Sequence, residues 1–407
     1  MNIHDRGVSL IVRVAGVFLL VLGAVSGGSE ARVYFFQAAP VIPVPNLVGY
    51  WAVDGPVADM ATIAQDSSGN NNNGTYTSGA TSMAAAPTVP PGNTRSFAFT
   101  QAARQYISVP SFASLQLTGS CTLAAWIRPT IDSTFQEGIL EKYDGSISDG
   151  YSFRLDGNEN LSCTMFNGTT AGGVSTAPRA IPLNTWTHVA GVYSMAASTV
   201  TNYVNAVADP SVATGVLPPT AGASPLQIGD DYGANAFNGN IDEVRIYNRA
   251  LTVNEVAVLK NGQPAPTALL ATGGTGRIQL TWSPASNAGT VPVTYSLLRG
   301  TASGVYTTVT NGIPTTAYDD PIAGGGGPFY YVVVAVSVMT SGPTNEQSAT
   351  ATFAPPPPPR TQKVGKPDKK LCGMGAVEGS PFAPGLLGAL AISALLVGLA
   401  ARRRFQG

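Results

Sequence analysis

Between Leu47 and Gly262 apolar and polar residues alternate in short runs, and clusters of Gly, Asn, Ser and Pro separate the runs. Cys121 to Ile127 reads CTLAAWI, Tyr151 to Leu155 reads YSFRL, and Val200 to Val204 reads VTNYV. Successive side chains of a strand point to opposite faces, so each run can bury one face and wet the other. Helical spacing of apolar residues is nearly absent. The pattern predicts a sandwich of two antiparallel sheets. Phe237 to Leu251, FNGNIDEVRIYNRAL, opens on the turn Asn238-Gly239-Asn240 and continues as a strand. Val244 and Ile246 face one way; Glu243, Arg245 and Tyr247 face the other. Strict alternation sets Asp242 beside Val244 and Ile246, where a carboxylate is costly unless a cation or several donors satisfy it. Thr252-Val253-Asn254-Glu255 then forms a capping box that opens a short helix from Val253 to Lys260, stopped near Gly262.

A second alternating region runs from Ala265 to Ala354, with runs at Ile278 to Trp282, Val293 to Leu298, Thr316 to Tyr318 and Tyr330 to Val336. Its length suits a smaller sandwich over 265–354. Residues 355–371 form a linker: five consecutive prolines, a stiff polyproline II spacer, then a basic polar stretch. The tail, 372–407, carries the apolar run Gly385 to Ala401, followed by Arg402, Arg403 and Arg404. That run is at the lower limit of a transmembrane helix, and the arginines would hold its end in the cytoplasm. At the other end, Arg6 and Arg13 precede the apolar run Val14 to Val25 and then small residues. This is the order of a secretory signal over residues 1–31, cleaved after Ser26 or after Ala31.

Charged residues are only 11% of the chain, against about 25% in an average soluble protein. Gly and Pro are abundant and the net charge is −1. No basic patch stands out in the globular region, so nucleic acid is not expected as a partner. Outside the leader the one histidine is His188, in the alternating run Trp186-Thr187-His188-Val189. A histidine-based zinc site or a Ser-His-Asp triad would rest on that single strand position. Cys121 and Cys163 lie in strands of one domain; in an oxidising compartment they either pair or remain two small buried thiols.

GNIDEVRIYNRALTVNEV resembles the closing strand and helix of LamG-like jelly rolls, the concanavalin A-like lectin/glucanase superfamily. LVGYW at Leu47 to Trp51 is similar to the opening strand, DSSGN at Asp66 to Asn70 to a characteristic loop, and Phe97 to Val109 to the strand pair ending in YISVP. CTLAAWIRPT, NTWTHVAGVY and TNYVNAVA resemble the central strands. The resemblance covers 47–262. It implies a jelly roll in an all-β chain, and mostly a binding module. Residues 265–354 resemble a fibronectin type III domain, with Trp282 as core tryptophan and Tyr330 or Tyr331 on the late core strand. The tail resembles a bacterial C-terminal sorting signal, with Cys372-Gly373 as the processing point for an envelope sorting protease. The other reading of the tail is a plain single-pass anchor.

The family often binds a structural calcium, and the resemblance implies Asp66, Asn71, the Gly74 region and Asp242 as its ligands. Calcium takes six to eight oxygens, and these residues offer carboxylate, amide and carbonyl groups. An Asx-turn at Asp66 and a backbone-bonded Asp242 are the alternative. Candidate ligand contacts are Tyr143, Asp144, Tyr151, Asp230, Asp231 and Tyr232, since rings stack on sugar faces and carboxylates accept hydroxyl protons. Ordinary hairpin-turn chemistry also accounts for the Asp-Gly pairs among them. The Glu-x-Asp-x-x-Glu strand of laminarinase-type jelly rolls is absent, as are HExxH and GxSxG. Asp242 and Glu243 are adjacent and so face opposite ways. The expectation is therefore an exported, surface-associated, non-enzymatic protein that recognises a glycan or an extracellular protein. The alternatives are a structural envelope stalk or a hydrolase whose paired carboxylates meet only on folding.

Overall fold

A computed structural model of the chain describes residues 10–14, 17–21, 33–37, 42–53, 62–83, 85–89, 93–143, 149–176, 180–232, 236–322 and 326–352. Leu10–Val14 and Val17–Val21, within the expected leader, and Val33–Gln37, just beyond it, form an antiparallel three-stranded sheet. The cleavage positions at Ser26 and Ala31, the linker, Cys372-Gly373 and the apolar run 385–401 lie outside the described residues. No helix among the described residues is long and apolar enough to cross a membrane.

The all-β expectation holds: two eight-stranded antiparallel sheets face each other. One, here the covered sheet, runs Val207–Thr214, Thr199–Val204, Thr187–Ser194, Cys121–Pro129, Gly239–Tyr247, Ser96–Phe99, Thr81–Met83, with Leu47–Trp51 also paired to Gly239–Tyr247. The other, the open sheet, runs Ala171–Ser175, Leu161–Phe166, Gly150–Leu155, Glu137–Lys142, Leu226–Ile228, Tyr106–Val109, Gly74–Thr77, Ile63–Ala64. Alternation works as read: Leu123, Ala125 and Ile127 of one sheet meet Tyr151, Phe153 and Leu155 of the other in a single core. Trp51 is its largest side chain, and its indole N–H donates to the Asn72 carbonyl at 3.0 Å.

The strand carrying Asp242 departs from strict alternation. Opposite it, Ala124 pairs with Arg245 but Trp126 pairs with Asp242, so Ala125 faces two residues, Glu243 and Val244. Glu243 takes up the extra residue with φ +54°, a β-bulge. One residue inserted in a strand reverses the facing of every residue beyond it. Ile241, Val244 and Ile246 therefore all enter the core, while Asp242 stands opposite Trp126 on the outer face. The expected inward Asp242 is corrected on this ground.

The capping box is present: Thr252 Oγ1 accepts the Glu255 N–H at 3.3 Å, and the Glu255 carboxylate accepts the Thr252 N–H at 2.8 Å. The helix Val253–Asn261 lies on the outer face of the covered sheet. Val256, Val258 and Leu259 pack there with Ala124, Ala190, Val192, Tyr203 and Tyr247. Val291, Val338 and Met339 complete that layer from a second sandwich, and the Tyr247 hydroxyl donates to the Val338 carbonyl at 2.5 Å. This second sandwich pairs a three-stranded sheet (Thr267–Gly274, Arg277–Ser283, Ala317–Pro321) with a five-stranded one centred on Thr294–Ala302 and Gly326–Val336. Trp282 and Tyr331 sit in its core, the indole edge-on to Tyr295 at 5.4 Å. Tyr330, on the opposite face of the strand, is half-buried.

Candidate functional site

The outer face of the open sheet differs from that of the covered sheet. Following the register across it, Thr75 pairs with Ser108, Ser108 with Gln227, Gln227 with Glu141, Glu141 with Ser152, Ser152 with Thr164, and Thr164 with Gly173. Directly paired residues project on the same side. One polar row therefore crosses seven strands, and a second, Arg154, Ser162 and Ser175, runs beside it. Between Leu161–Phe166, Ala171–Ser175 and Arg154 lies a shallow depression of ≈360 Å³, floored by Ser162, Thr164 and Ser175 and bounded by Phe166. Gly173 keeps this floor open: a Cβ there would sit 2.4 Å from Thr164 Oγ1. A second depression, ≈430 Å³, lies beside the Asp66 loop among Asn70, Gln116, Thr118 and Asn248, and no aromatic side chain lines it.

Aromatic and charged side chains gather at the edge of the polar rows. The Tyr143 ring stacks on Phe166 at 4.8 Å and 5°, and Tyr232 stands edge-on to it at 5.5 Å. The Tyr143 hydroxyl donates to Asp231 Oδ1 at 2.7 Å, and the Arg154 guanidinium lies 3.2 Å from Asp231 Oδ2. The loop carrying Asp231 can approach because residue 138 is glycine: a Cβ there would meet the Asp230 carbonyl at 2.3 Å. Tyr232 is held in the left-handed region, φ +47°, with its hydroxyl on the Pro225 carbonyl at 2.6 Å. Beneath them Glu141 is fully buried and accepts the Ser152 hydroxyl at 3.0 Å. Burial, and then the Asp231 charge, hold its carboxyl well above the usual range.

Of the six expected contacts, the structure thus brings Tyr143, Asp231 and Tyr232 together. Asp230 is buried at an isolated bridge to Ala236. Asp144 lies outside the described residues. Tyr151 is misplaced by the expectation: it is 0% exposed in the core, with its hydroxyl on the Leu115 carbonyl at 3.1 Å. Its alternation with Phe153 and Leu155 outweighs the Asp-Gly turn that precedes it. Arg154, Thr164, Phe166 and Glu141 were missed. For Arg154, Thr164 and Glu141 the signal was only the polar half of an alternating run, and the apolar Phe166 had none; which positions become neighbours is set by register between distant strands.

Asp66 has no lone pair to spare for a cation. Oδ1 accepts the Tyr50 and Ser68 N–H groups, each at 2.9 Å; Oδ2 accepts the Ser68 hydroxyl at 2.9 Å and the Asn72 N–H at 2.8 Å. A carboxylate offers about four acceptor positions, and protein donors take all four. Asn71 is exposed at φ +59°, and Gly74 begins a strand where a Cβ would collide with Ile107. Asp242 accepts the Asn93 amide at 2.7 Å. Among the described residues no group of three His, Cys, Asp or Glu could hold a metal ion. The set at Asp66 does not fit calcium without losing these bonds.

Next to Asp242 on the outer face, Arg245 pairs with the Glu243 carboxylate and lies 4.1 Å over the Tyr50 ring, while the Tyr50 hydroxyl donates to Glu243 at 2.8 Å. This buried triad joins the bulge to the opening strand. His188, edge-on to Trp126, is held down at about 3 by burial and then the Arg245 charge, which suits a neutral structural imidazole. Cys121 and Cys163 are free thiols on opposite sheets. The Cys121 sulfur rests 3.8 Å from that of Met165, and the Cys163 sulfur fills the space over Gly191.

Among solved structures, the chain is similar to the binding domain of Paraclostridial Mosquitocidal Protein 1, at 16% identity and TM-score 0.43 over 72% of this chain and 75% of that one. It is also similar to domain 4 of AbnA, a GH43 extracellular arabinanase from Geobacillus stearothermophilus, in complex with arabinotriose; identity is 23% and TM-score 0.38, over 53% of this chain and 98% of that one. A Fn3-like protein from Clostridium thermocellum matches at 31% identity and TM-score 0.20 over 23% of this chain and 95% of that one. No curated protein matches the chain. Residues 101–257 match the family described as the concanavalin A-like lectin/glucanases superfamily, in keeping with the two facing sheets that this stretch largely builds.

Proposed function

We propose that the jelly roll is a saccharide-binding module and that its ligand lies on the outer face of the open sheet. The observation that carries this is the depression floored by Ser162, Thr164 and Ser175 at the solvent-reaching end of the polar row, with the buried, stacked Tyr143–Phe166 pair at its edge. Hydroxyl groups both donate and accept, as sugar hydroxyls require, and an aromatic ring offers an apolar surface to a sugar face. Recognition is non-covalent, without catalysis. The fibronectin-like second sandwich and the proline spacer project the module from the surface of an exporting cell, with the tail as anchor or sorting signal; the order of leader, body and tail in the sequence supports this. A glycan array with the purified chain tests the proposal. Binding that a Thr164→Leu change abolishes, with melting unchanged, is expected. A blank array leaves the structural-stalk reading, which the packing of Tyr247 on Val338 favours.

Calcium enters this proposal only as a test. Because Asp66 is saturated by protein donors, a chelator is expected to shift the melting temperature by less than about 1 °C. A larger fall that calcium reverses would place a cation here after all.

A further inference from the structure

Resting on the saccharide-binding reading, we infer that this face selects uncharged saccharides over carboxylated ones, with the Arg154–Asp231 pair as the specificity element. The depression is lined by one charged residue, Arg154, by the hydroxyl-bearing Ser162, Thr164 and Ser175, and otherwise by Phe166 and Val174 with the small Ala171 and Gly173. Recognition of a carboxylated sugar would call for a guanidinium or ammonium free to meet it, since charge-assisted pairing is what offsets stripping water from a carboxylate. Arg154 is already engaged. Its guanidinium contacts Asp231 at 3.2 Å and the Tyr143 hydroxyl at 3.4 Å, and Asp231 is itself 4% exposed and bonded to Tyr143.

Arg154 and Asp231 pair with each other, burial and then the Asp231 charge hold the Glu141 carboxyl beneath them well above the usual range, and the rest of the polar rows is hydroxyl and amide: Thr75, Ser108, Gln227, Ser152, Thr164, Ser162 and Ser175. A carboxylated ligand would approach Asp231 with no uncompensated cation among the lining residues. An uncharged ligand carries no such penalty, and its hydroxyls meet groups of matching chemistry. Arg154 then acts as a fixed donor at the edge of the floor, held in place by Asp231.

The purified full-length chain is titrated with galactose oligomers and galacturonate oligomers of matched length at low and high salt. The neutral series is expected to bind at least tenfold more tightly, with the gap narrowing at high salt. Asp231→Asn frees the guanidinium and should shrink the preference at least fivefold. Arg154→Gln leaves Asp231 uncompensated and should widen it. Circular dichroism and melting of each variant establish that it is folded, and Arg154→Gln keeps the test alive if Asp231→Asn is not. Equal or tighter binding of galacturonate, abolished by Thr164→Leu, would overturn the selectivity and leave saccharide binding intact. Folded variants with unchanged preference would overturn the role of the pair. Absence of binding to both series and to a wider glycan panel would overturn the selectivity together with the reading beneath it.

Discussion

The two sheets of the jelly roll share one core but present opposite outer faces. On the covered sheet, Ala124, Ala190, Val192, Tyr203 and Tyr247 form an apolar layer sealed by the helix and by Val291, Val338 and Met339 of the second sandwich. On the open sheet, the corresponding layer is Thr75, Ser108, Gln227, Glu141, Ser152, Thr164 and Gly173. An apolar face of that size left in water would invite association, so it is committed to structure. The polar face is buried at its centre, at Gln227, Glu141 and Ser152, and reaches solvent at Thr75, Ser108, Thr164 and Gly173. The difference assigns an apolar seal to one side of the sandwich and the solvent-reaching polar positions, where the proposed binding face lies, to the other.

The sharpest way to break this assignment is a charge on each side. Leu259→Asp buries an unpaired carboxylate in the sealed layer and is expected to cost on the order of 4 kcal/mol or more in urea denaturation. Thr164→Asp on the open face should change stability by less than about 0.5 kcal/mol while removing saccharide binding. Comparable costs at the two sites would erase the distinction.

Glu243→Gln probes the polar seam of the covered sheet. It leaves the buried Arg245 without its carboxylate and should cost about 3–5 kcal/mol, with no change in saccharide affinity. A loss below about 1 kcal/mol would mean that the triad is dispensable.

The open sheet has a pH signature of its own. Glu137, at the start of its central strand, is pushed up to about 8 by burial and then by Glu159. Its folded value lies above its unfolded one, so the folded state holds the extra proton. Stability from this group is full below the unfolded value, near 4.5, and is lost as pH rises to about 8. Between pH 6.5 and 9 the chain should lose about 2 kcal/mol, and Glu137→Gln should flatten that slope. A parent with a flat profile would show that Glu137 is already ionised. At the small end, Thr252→Ala removes the helix cap over the sealed layer and should cost about 1 kcal/mol, read as a lower melting temperature.

Much of this molecule could be read locally. CTLAAWI alternates as a strand because its side chains do, and Leu123, Ala125 and Ile127 are in the core. The capping box closes because Thr252 and Glu255 are three residues apart on any helix start. Local rules failed where one residue changed the count or where a turn outranked a strand. The bulge at Glu243 turned Asp242 outward, and Tyr151 followed its strand into the core rather than its Asp-Gly neighbours toward a ligand. Arg154 and Thr164 were visible only as polar positions.

By itself the sequence determined the class of fold, the position of the helix and which side of most strands is apolar. These follow from period and capping, which act within a few residues. Only the tertiary structure decided that Thr75 and Gly173 end one polar row, that Arg154 meets Asp231, and that the second sandwich seals one face and leaves the other open. Those outcomes depend on register between strands far apart in the chain, and no short-range rule sets it.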